Sequence, residues 1–394
     1  MPLPPVPPLD RRIDALLGEL PRYLFDERFY LSWQLVDRYA DAWALQLAHD
    51  LGLAEAGGGL ATPASATELL TRRGFAGDFA VPLRGLLRHL AELGHLAVDT
   101  TGAYRLTAEL PLAPLAEVRS ACLAVDPANA PALDLLDLAG AAYPAVARGE
   151  VRGQEALFGL GQTRLWLAYF HNDNPTYAIN NRLAALVAVP RLPAGPLRVL
   201  EVGGGGGSGS EALLAALAGA DRLRDVARYR FTEPSPFFRR GAERRLRQLY
   251  PDLPLEAHGL DLDQPLATQG EEPEGHELVY AVNVLHVARD LPATLRELHG
   301  ILAPGGVLIA GEALRPVPAA PVPIELVFRL LDGYREVVLD PVLRPEPGFL
   351  TPEQWRALLA AAGFAAIEVV PDHREIHALY PRFSTGVVCG RKAS

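Results

Sequence analysis

Four textures of apolar and polar residues follow one another along the chain. From about Asp10 to Leu53 apolar residues return at helical spacing (Leu31, Trp33, Leu35, Val36, Tyr39, Trp43, Leu45 and Leu47), which predicts a long amphipathic helix. The stretch from Thr62 to Thr107 reads as helix, glycine turn, second helix and a short hairpin turning at Thr101–Gly102, the order of a winged helix. From about Leu115 to Val189 the spacing is helical again, broken by a polar and aromatic island, YFHNDNPTYAINNR. Pro190, Pro193 and Pro196 then mark a boundary.

Beyond it, short apolar runs alternate with helical segments, the signature of a parallel sheet with crossover helices. The runs are LRVLEV (197–202), RYRFT (228–232), LEAHG (255–259), ELVYAV (277–282) and GVLIAG (306–311). AAIEVV (365–370) and FSTGVVCG (383–390), which follow the helical segment PEQWRALLAAAGF, are expected to add an antiparallel edge. The expected architecture is α/β, with residues 1–114 a helical, winged-helix-like module suited to dimerisation, 115–194 a helical linker covering a pocket, and 195–394 a ligand-binding sheet domain. Within the last, the proline-rich insertion 313–350 lies beyond a strand's C-terminal end, where a lid belongs.

The segment VLEVGGGGGSGSEALLAAL is strand, glycine loop, helix. Such a loop lets backbone N–H groups approach a ligand, and the helix N-terminus adds positive potential. It satisfies the dinucleotide fingerprint at Gly204, Gly206 and Gly209, so a nicotinamide oxidoreductase is a rival reading. Three acids argue otherwise. Glu201, two residues before the E-x-G-x-G-x-G glycines Gly203, Gly205 and Gly207, suits a cationic amino-acid ligand and would repel a pyrophosphate. Glu233 ends the next strand, where an acid accepts ribose hydroxyls. Asp261, in HGLDLDQPL with Leu262 beside it, is placed to take an adenine amino group, or else to cap a turn.

His286 follows the fourth run of the sheet, and Glu312 ends the fifth, so adjacent parallel strands deliver both to one rim, with Asn283 at the same strand end. A histidine titrating near neutrality takes a proton, and a carboxylate beside it fixes the tautomer. In the polar island, Tyr169, His171, Asn174, Tyr177 and Asn181 are candidate acceptor-pocket residues, with Tyr334 from the insertion; the alternative is that they cap and pack helices.

Composition narrows these readings. At 394 residues the chain exceeds one ordinary core. A net charge of −10 argues against broad nucleic-acid binding, and the second helix of the winged-helix-like module offers only Arg84 and Arg88. No apolar run reaches the ~20 residues of a membrane span, and the proline-rich start is expected to be a frayed tail rather than a signal peptide, so a cytoplasmic protein is the default. Cys122 and Cys389 stand alone, and His373 and His377 lack a third ligand, so neither a disulfide framework nor a metal is expected. The arginines 239, 240, 244, 245 and 247 read as a solvated helix face paired with Glu243, or as a dock for an acidic carrier protein.

From Leu200 to about Phe364 the chain resembles the C-methyltransferase domains of polyketide synthases, a branch of the class I methyltransferases. The matching segments are LEVGGGGG, YRFTEPSPFF, LDLDQP, ELVYAVNVLHVARDL, LAPGGVLIAGE and TPEQWRALLAAAGF. The resemblance implies S-adenosylmethionine as cofactor. It implies His286 and Glu312 as a dyad removing a proton from the carbon between a ketone and a thioester. Substrate would then be a small or carrier-bound acyl group. Two departures leave the acceptor atom open between carbon, oxygen and nitrogen. Such domains are usually embedded in megasynthases, whereas this chain is expected to act alone as a homodimer. Its first module is also similar to the dimerisation domain of small-molecule O-methyltransferases, whose LHDW motif is LHVARD here. A winged-helix regulator that merely senses the cofactor is the third class.

Overall fold

The computed structural model describes residues 6–394 except Glu19, Pro21, residues 56–58 and Leu160. The first long helix, Glu27–Asp50, begins where the Asp26 side chain accepts the Phe29 N–H at 2.7 Å. Helices Leu115–Val125 and Ala130–Ala147 pack against it. Asp137 ties the three together, accepting from Tyr39 Oη at 2.5 Å, Trp43 Nε1 at 2.9 Å and Arg119 Nη1 at 2.9 Å.

Helix Ala66–Arg73 opens on a capping box of Ser65 and Glu68 and stops at Gly74, whose φ of +65° ends the helix. Helix Ala80–Glu92 and the hairpin of β1 (Leu96–Val98) and β2 (Tyr104–Leu106) follow in the expected order. Arg88 on the second helix is not free for a nucleic acid, because it pairs with Glu346 at 2.8 Å.

The main sheet has seven strands: β3 (Leu197–Val202), β4 (Val226–Thr232), β5 (Leu255–His258), β6 (His276–Val282), β7 (Leu302–Ala313), β8 (Ala365–Val370) and β9 (Thr385–Arg391). Their order is β5-β4-β3-β6-β7-β9-β8, and every pair not involving β9 is parallel. One expectation is corrected. The antiparallel strand is not the edge: β9 lies between β7 and β8. The crossover through helix Pro352–Ala361 sets β8 down one place away from β7, and the returning chain fills the slot with β9. Helices Pro175–Ala188 and Ser208–Gly219 cover one face, and helices Leu291–Ile301 and Pro352–Ala361 the other.

The buried side chains do not divide where the sequence segments do. Residues from Leu35 to Tyr169 share one core with Leu326, Val327 and Leu330 of the 313–350 insertion. Helix Pro175–Ala188 instead joins the core of the sheet, together with Ile13, Phe25 and Tyr30. The start of the chain is also corrected. Residues 1–5 lie outside the described residues, but the segment after them is docked: Tyr30 Oη donates to the Pro7 carbonyl at 3.0 Å, and Asp10 N–H to Tyr380 Oη at 2.6 Å. Proline removed donors here without removing the packing. Among the described residues no helix is long and apolar enough to cross a membrane.

Candidate active site

The C-terminal ends of β3, β4, β6 and β7 open onto one cavity of about 810 Å³, covered by the helical region and the insertion. That position is the ligand crevice of open α/β sheets. Gly203 has φ +61°, and a Cβ there would stand 2.4 Å from Val284; a Cβ on Gly204 would stand 2.2 Å from the Phe231 ring. At Gly203 and Gly204 the loop therefore presents bare main chain because nothing larger fits, whereas Gly205 is held to glycine by its φ of +54° rather than by lack of space. Gly207, at φ +88°, is the N-cap of the following helix and packs on Ala242; it does not line the cavity.

Glu201 is buried beside the loop. One oxygen accepts from Ser210 Oγ and, at 2.7 Å, from Tyr229 Oη, while burial pushes the carboxyl up to about 7 against those hydrogen bonds. Glu233 accepts the Gly205 N–H at 3.1 Å and the Ser235 N–H at 2.9 Å, and burial raises it too. Both acids line the cavity.

His286 and Glu312 meet as the strand order requires. His286 Nδ1 lies 2.6 Å from Glu312 Oε2, and Glu312 Oε1 accepts the Leu285 N–H at 2.9 Å. Both side chains are buried, and the His286 ring lies 4.7 Å from the Phe349 ring and 5.9 Å from that of Tyr334. Asn283 sits at φ +51°, a conformation held by its N–H on the Gly311 carbonyl at 2.7 Å and by its Oδ1, which accepts from Ala313 N–H at 3.1 Å. Tyr177 hydrogen-bonds Asn283, and burial raises its phenol.

Of the residues expected from sequence, Glu201, Gly203, Gly205, Glu233, Asn283, His286, Tyr169, Tyr177, Asn181 and Tyr334 share this cavity. Four others do not. Asp261 is exposed, with Oδ1 accepting the Asp263 N–H at 2.9 Å, so the turn reading describes it. Leu262 packs against the sheet's core. His171 contacts Arg245 Nη1 at 2.9 Å on the outside. Asn174 spends its amide on the Tyr169 carbonyl at 2.8 Å, just ahead of helix Pro175–Ala188.

Sequence reasoning missed three contributors. Asn180 lines the cavity at 7% exposure with Oδ1 unpartnered; two adjacent asparagines inside a helix were a signal, since asparagine prefers caps and turns. Glu325 in the insertion is fully buried, accepting from Arg315, Tyr334 and, at 2.6 Å, Arg329. Burial alone would raise its carboxyl, but the two arginines hold it below the ordinary value. Arg344, likewise buried, donates to the carbonyls of His286 at 2.5 Å and Ala288 at 2.7 Å, clamping the insertion onto the histidine loop. No periodicity marks either.

This strand order, with a glycine loop after the first strand of the sheet and acids at the ends of the first two, defines the class I methyltransferase fold, whose cofactor is S-adenosylmethionine. Residues 200–308 match the family model described as a methyltransferase domain. The polyketide synthase ThaQ of Burkholderia thailandensis is 32% identical over 240 residues, 59% of this chain and 11% of that protein. The chain thus spans about a tenth of the length of the curated relatives it matches. Among solved structures, the CurJ carbon methyltransferase superposes with a TM-score of 0.78 at 22% identity, over 98% of both chains. The trans-methyltransferase CalH in complex with S-adenosylhomocysteine has a TM-score of 0.62 at 20% identity, covering 92% of this chain and 91% of that one. Residues 200–308 thus resemble a methyltransferase domain, in a chain that shares its fold with a carbon methyltransferase and is similar over part of its length to polyketide synthases.

Proposed function

We propose that this protein transfers a methyl group from S-adenosylmethionine to an acidic carbon of a β-ketoacyl substrate, with His286 as general base. The observation that carries the reading is the buried 2.6 Å contact of Glu312 with Nδ1 of His286, whose ring lines the cavity that also holds the glycine loop. The residues present suit the cofactor: bare backbone at Gly203–Gly206, and Glu233 preset by two N–H groups to accept a diol. When bound, the cofactor supplies a methyl group on a sulfonium sulfur.

Glu312 holds the Nδ1 proton and leaves Nε2 of His286 to take a proton from the acceptor. The imidazolium so formed is stabilised by Glu312, whose other oxygen is fixed by the Leu285 N–H. Tyr177 and Asn180 wall the space beside Asn283, and the insertion clamped by Arg344 keeps water from the enolate. Carbon is favoured over oxygen by the carbon methyltransferase likeness and by ThaQ being a polyketide synthase.

The test is calorimetry with S-adenosylhomocysteine, NAD and NADP in parallel, followed by incubation of S-adenosylmethionine with a β-ketoacyl pantetheine thioester. Binding of the first ligand alone and a product methylated on the carbon between the two carbonyls is the expected result. Nicotinamide binding would overturn the cofactor assignment; methylation on oxygen would overturn the acceptor atom.

A further inference from the structure

The cavity does not stop at the dyad. From Ala313, next to Glu312 in β7, the wall passes across the β7–β9 register, where Ala313 faces Thr385, to Ser384 and Phe383. The Phe383 ring lies 6.0 Å from that of Trp33 on helix Glu27–Asp50, and one turn beyond Trp33 is Asp37. Trp33 and Asp37 line the same cavity as the glycine loop. An arm therefore leads from the reacting centre to a carboxyl group on the helical region, through aromatic walls.

Asp37 stands apart from the ionic cluster behind it. Arg382 is taken by Asp41, with Nη1 2.9 Å from Oδ2, and by Glu92, with Nε 2.8 Å from Oε1; Asp41 also meets His89 Nε2 at 2.7 Å. These charges are mutually paired, and among the described residues no cation forms an ion pair with Asp37. Trp33 is its hydrogen-bonding neighbour. The side chain is half-buried, and its exposed part faces the cavity. An aromatic arm that ends on a single carboxyl without an ionic partner is a poor resting place for a bare alkyl end and a good one for a polar group.

We propose that Asp37 is a specificity-determining residue that binds an oxygen-bearing group, a hydroxyl or ketone, carried on the acyl chain of the acceptor away from the carbon that is methylated. The inference rests on the acyl-acceptor reading above. Burial, against the pull of Arg382, pushes the Asp37 carboxyl up to about 8, so at neutral pH it keeps its proton. A protonated carboxyl both donates and accepts, which matches hydroxyl and carbonyl oxygens.

The experiment titrates S-adenosylhomocysteine-loaded protein with acyl-pantetheine thioesters of equal length, one with a plain alkyl chain and a series with a hydroxyl at successive carbons. Wild type should bind at least one hydroxylated ligand roughly 5–10-fold tighter than the alkyl ligand, the value of one hydrogen bond. Asp37→Asn, which keeps a donor and an acceptor, should retain most of that preference, whereas Asp37→Leu and Asp37→Ala should bind both kinds alike. Equal affinity across the series in wild type, or an undiminished preference in the Leu and Ala variants, overturns the subsite and leaves the acyl reading standing. Preference for an amine-bearing chain also overturns it, in favour of an ion-pairing carboxylate. Failure of every thioester to bind overturns both.

Discussion

At the glycine-loop end of the cavity the wall is main chain, whereas at the aromatic end it is side chains drawn from distant segments. The first is built from consecutive residues, Gly203–Gly206, and from two acids at neighbouring strand ends. The second joins Trp33, Tyr177, Tyr334 and Phe383, whose positions in the chain have nothing in common except where the fold brings them. The main-chain wall has no room for a side chain at Gly203 and Gly204, whereas a wall of side chains is reshaped by substitution without disturbing the sheet. The comparison predicts that substitutions separate cleanly, with those at one end reading out in cofactor affinity and those at the other in turnover or acceptor choice.

The largest effect tests that separation at the junction. His286→Ala should lower methyl transfer by roughly 10²–10⁴-fold, the value of a positioned general base. Affinity for S-adenosylhomocysteine should change less than about twofold, because the ring's recorded contacts are with Glu312, Tyr334 and Phe349. Glu312→Gln should cost less, since the amide still touches Nδ1 but no longer stabilises an imidazolium. Equal loss of binding and turnover in His286→Ala would mean the histidine holds the fold or the cofactor, and an unaltered rate in Glu312→Gln would remove that residue from the reaction.

Gly203→Ala should act in the opposite sense. A left-handed φ costs an L-residue about 1–2 kcal/mol, and the new Cβ would press on Val284 at 2.4 Å. Cofactor affinity should fall on the order of 10–100-fold, visible in the same titration. Affinity within twofold of wild type would show that the loop shifts easily and that its bare backbone is not what the cofactor needs.

The unequal legibility of the two ends has a physical cause. Glycines at positive φ and acids at strand ends are local requirements, so LEVGGGGG and FTEP announced their end of the cavity from sequence, and the order of strands carried His286 to Glu312. Side-chain walls carry no such requirement. Tyr169, Tyr177 and Asn181 were legible because aromatic and amide residues cluster in one island, but that cluster also drew in His171 and Asn174, which serve the surface and a helix start. Asp37 and Phe383 look like any residue on an amphipathic helix or before a strand. No motif marks Arg344 in the insertion, and only the burial of its guanidinium against two carbonyls shows its role. The displaced antiparallel strand was hidden for a similar reason: alternation marks a strand but not its neighbours.

A smaller effect probes the acid under the loop. Burial raises Glu201 to about 7 from 4.5, so in the folded protein it gives up its proton later than in the unfolded chain. Its contribution to stability therefore falls as pH rises from about 4.5 to about 7 and is flat above. Glu201→Gln should remove that slope, read from denaturation midpoints across the range. If the ionised form also receives the ammonium group of the cofactor, S-adenosylhomocysteine affinity in wild type should rise several-fold between pH 6 and 8, and the variant should lose the rise. A pH-independent affinity in wild type would confine Glu201 to holding Ser210 and Tyr229.

The smallest effect is expected where sequence and structure disagree. Asp261 follows the third strand in a position suited to an adenine amino group, yet its Oδ1 is engaged by the Asp263 N–H and the residue lies outside the cavity lining. Asp261→Asn keeps the turn's acceptor, because an amide oxygen replaces the carboxylate oxygen. Cofactor affinity should therefore stay within about twofold, less than the roughly 0.5–1.5 kcal/mol that one lost hydrogen bond would cost. Asp261→Ala, which removes the acceptor, should loosen the turn and lower the melting temperature more than it lowers affinity. A loss of tenfold or more in Asp261→Asn at unchanged melting temperature would reverse this: the loop would then close on the adenine when cofactor binds, and the glycine-loop end would owe part of its grip to a side chain after all.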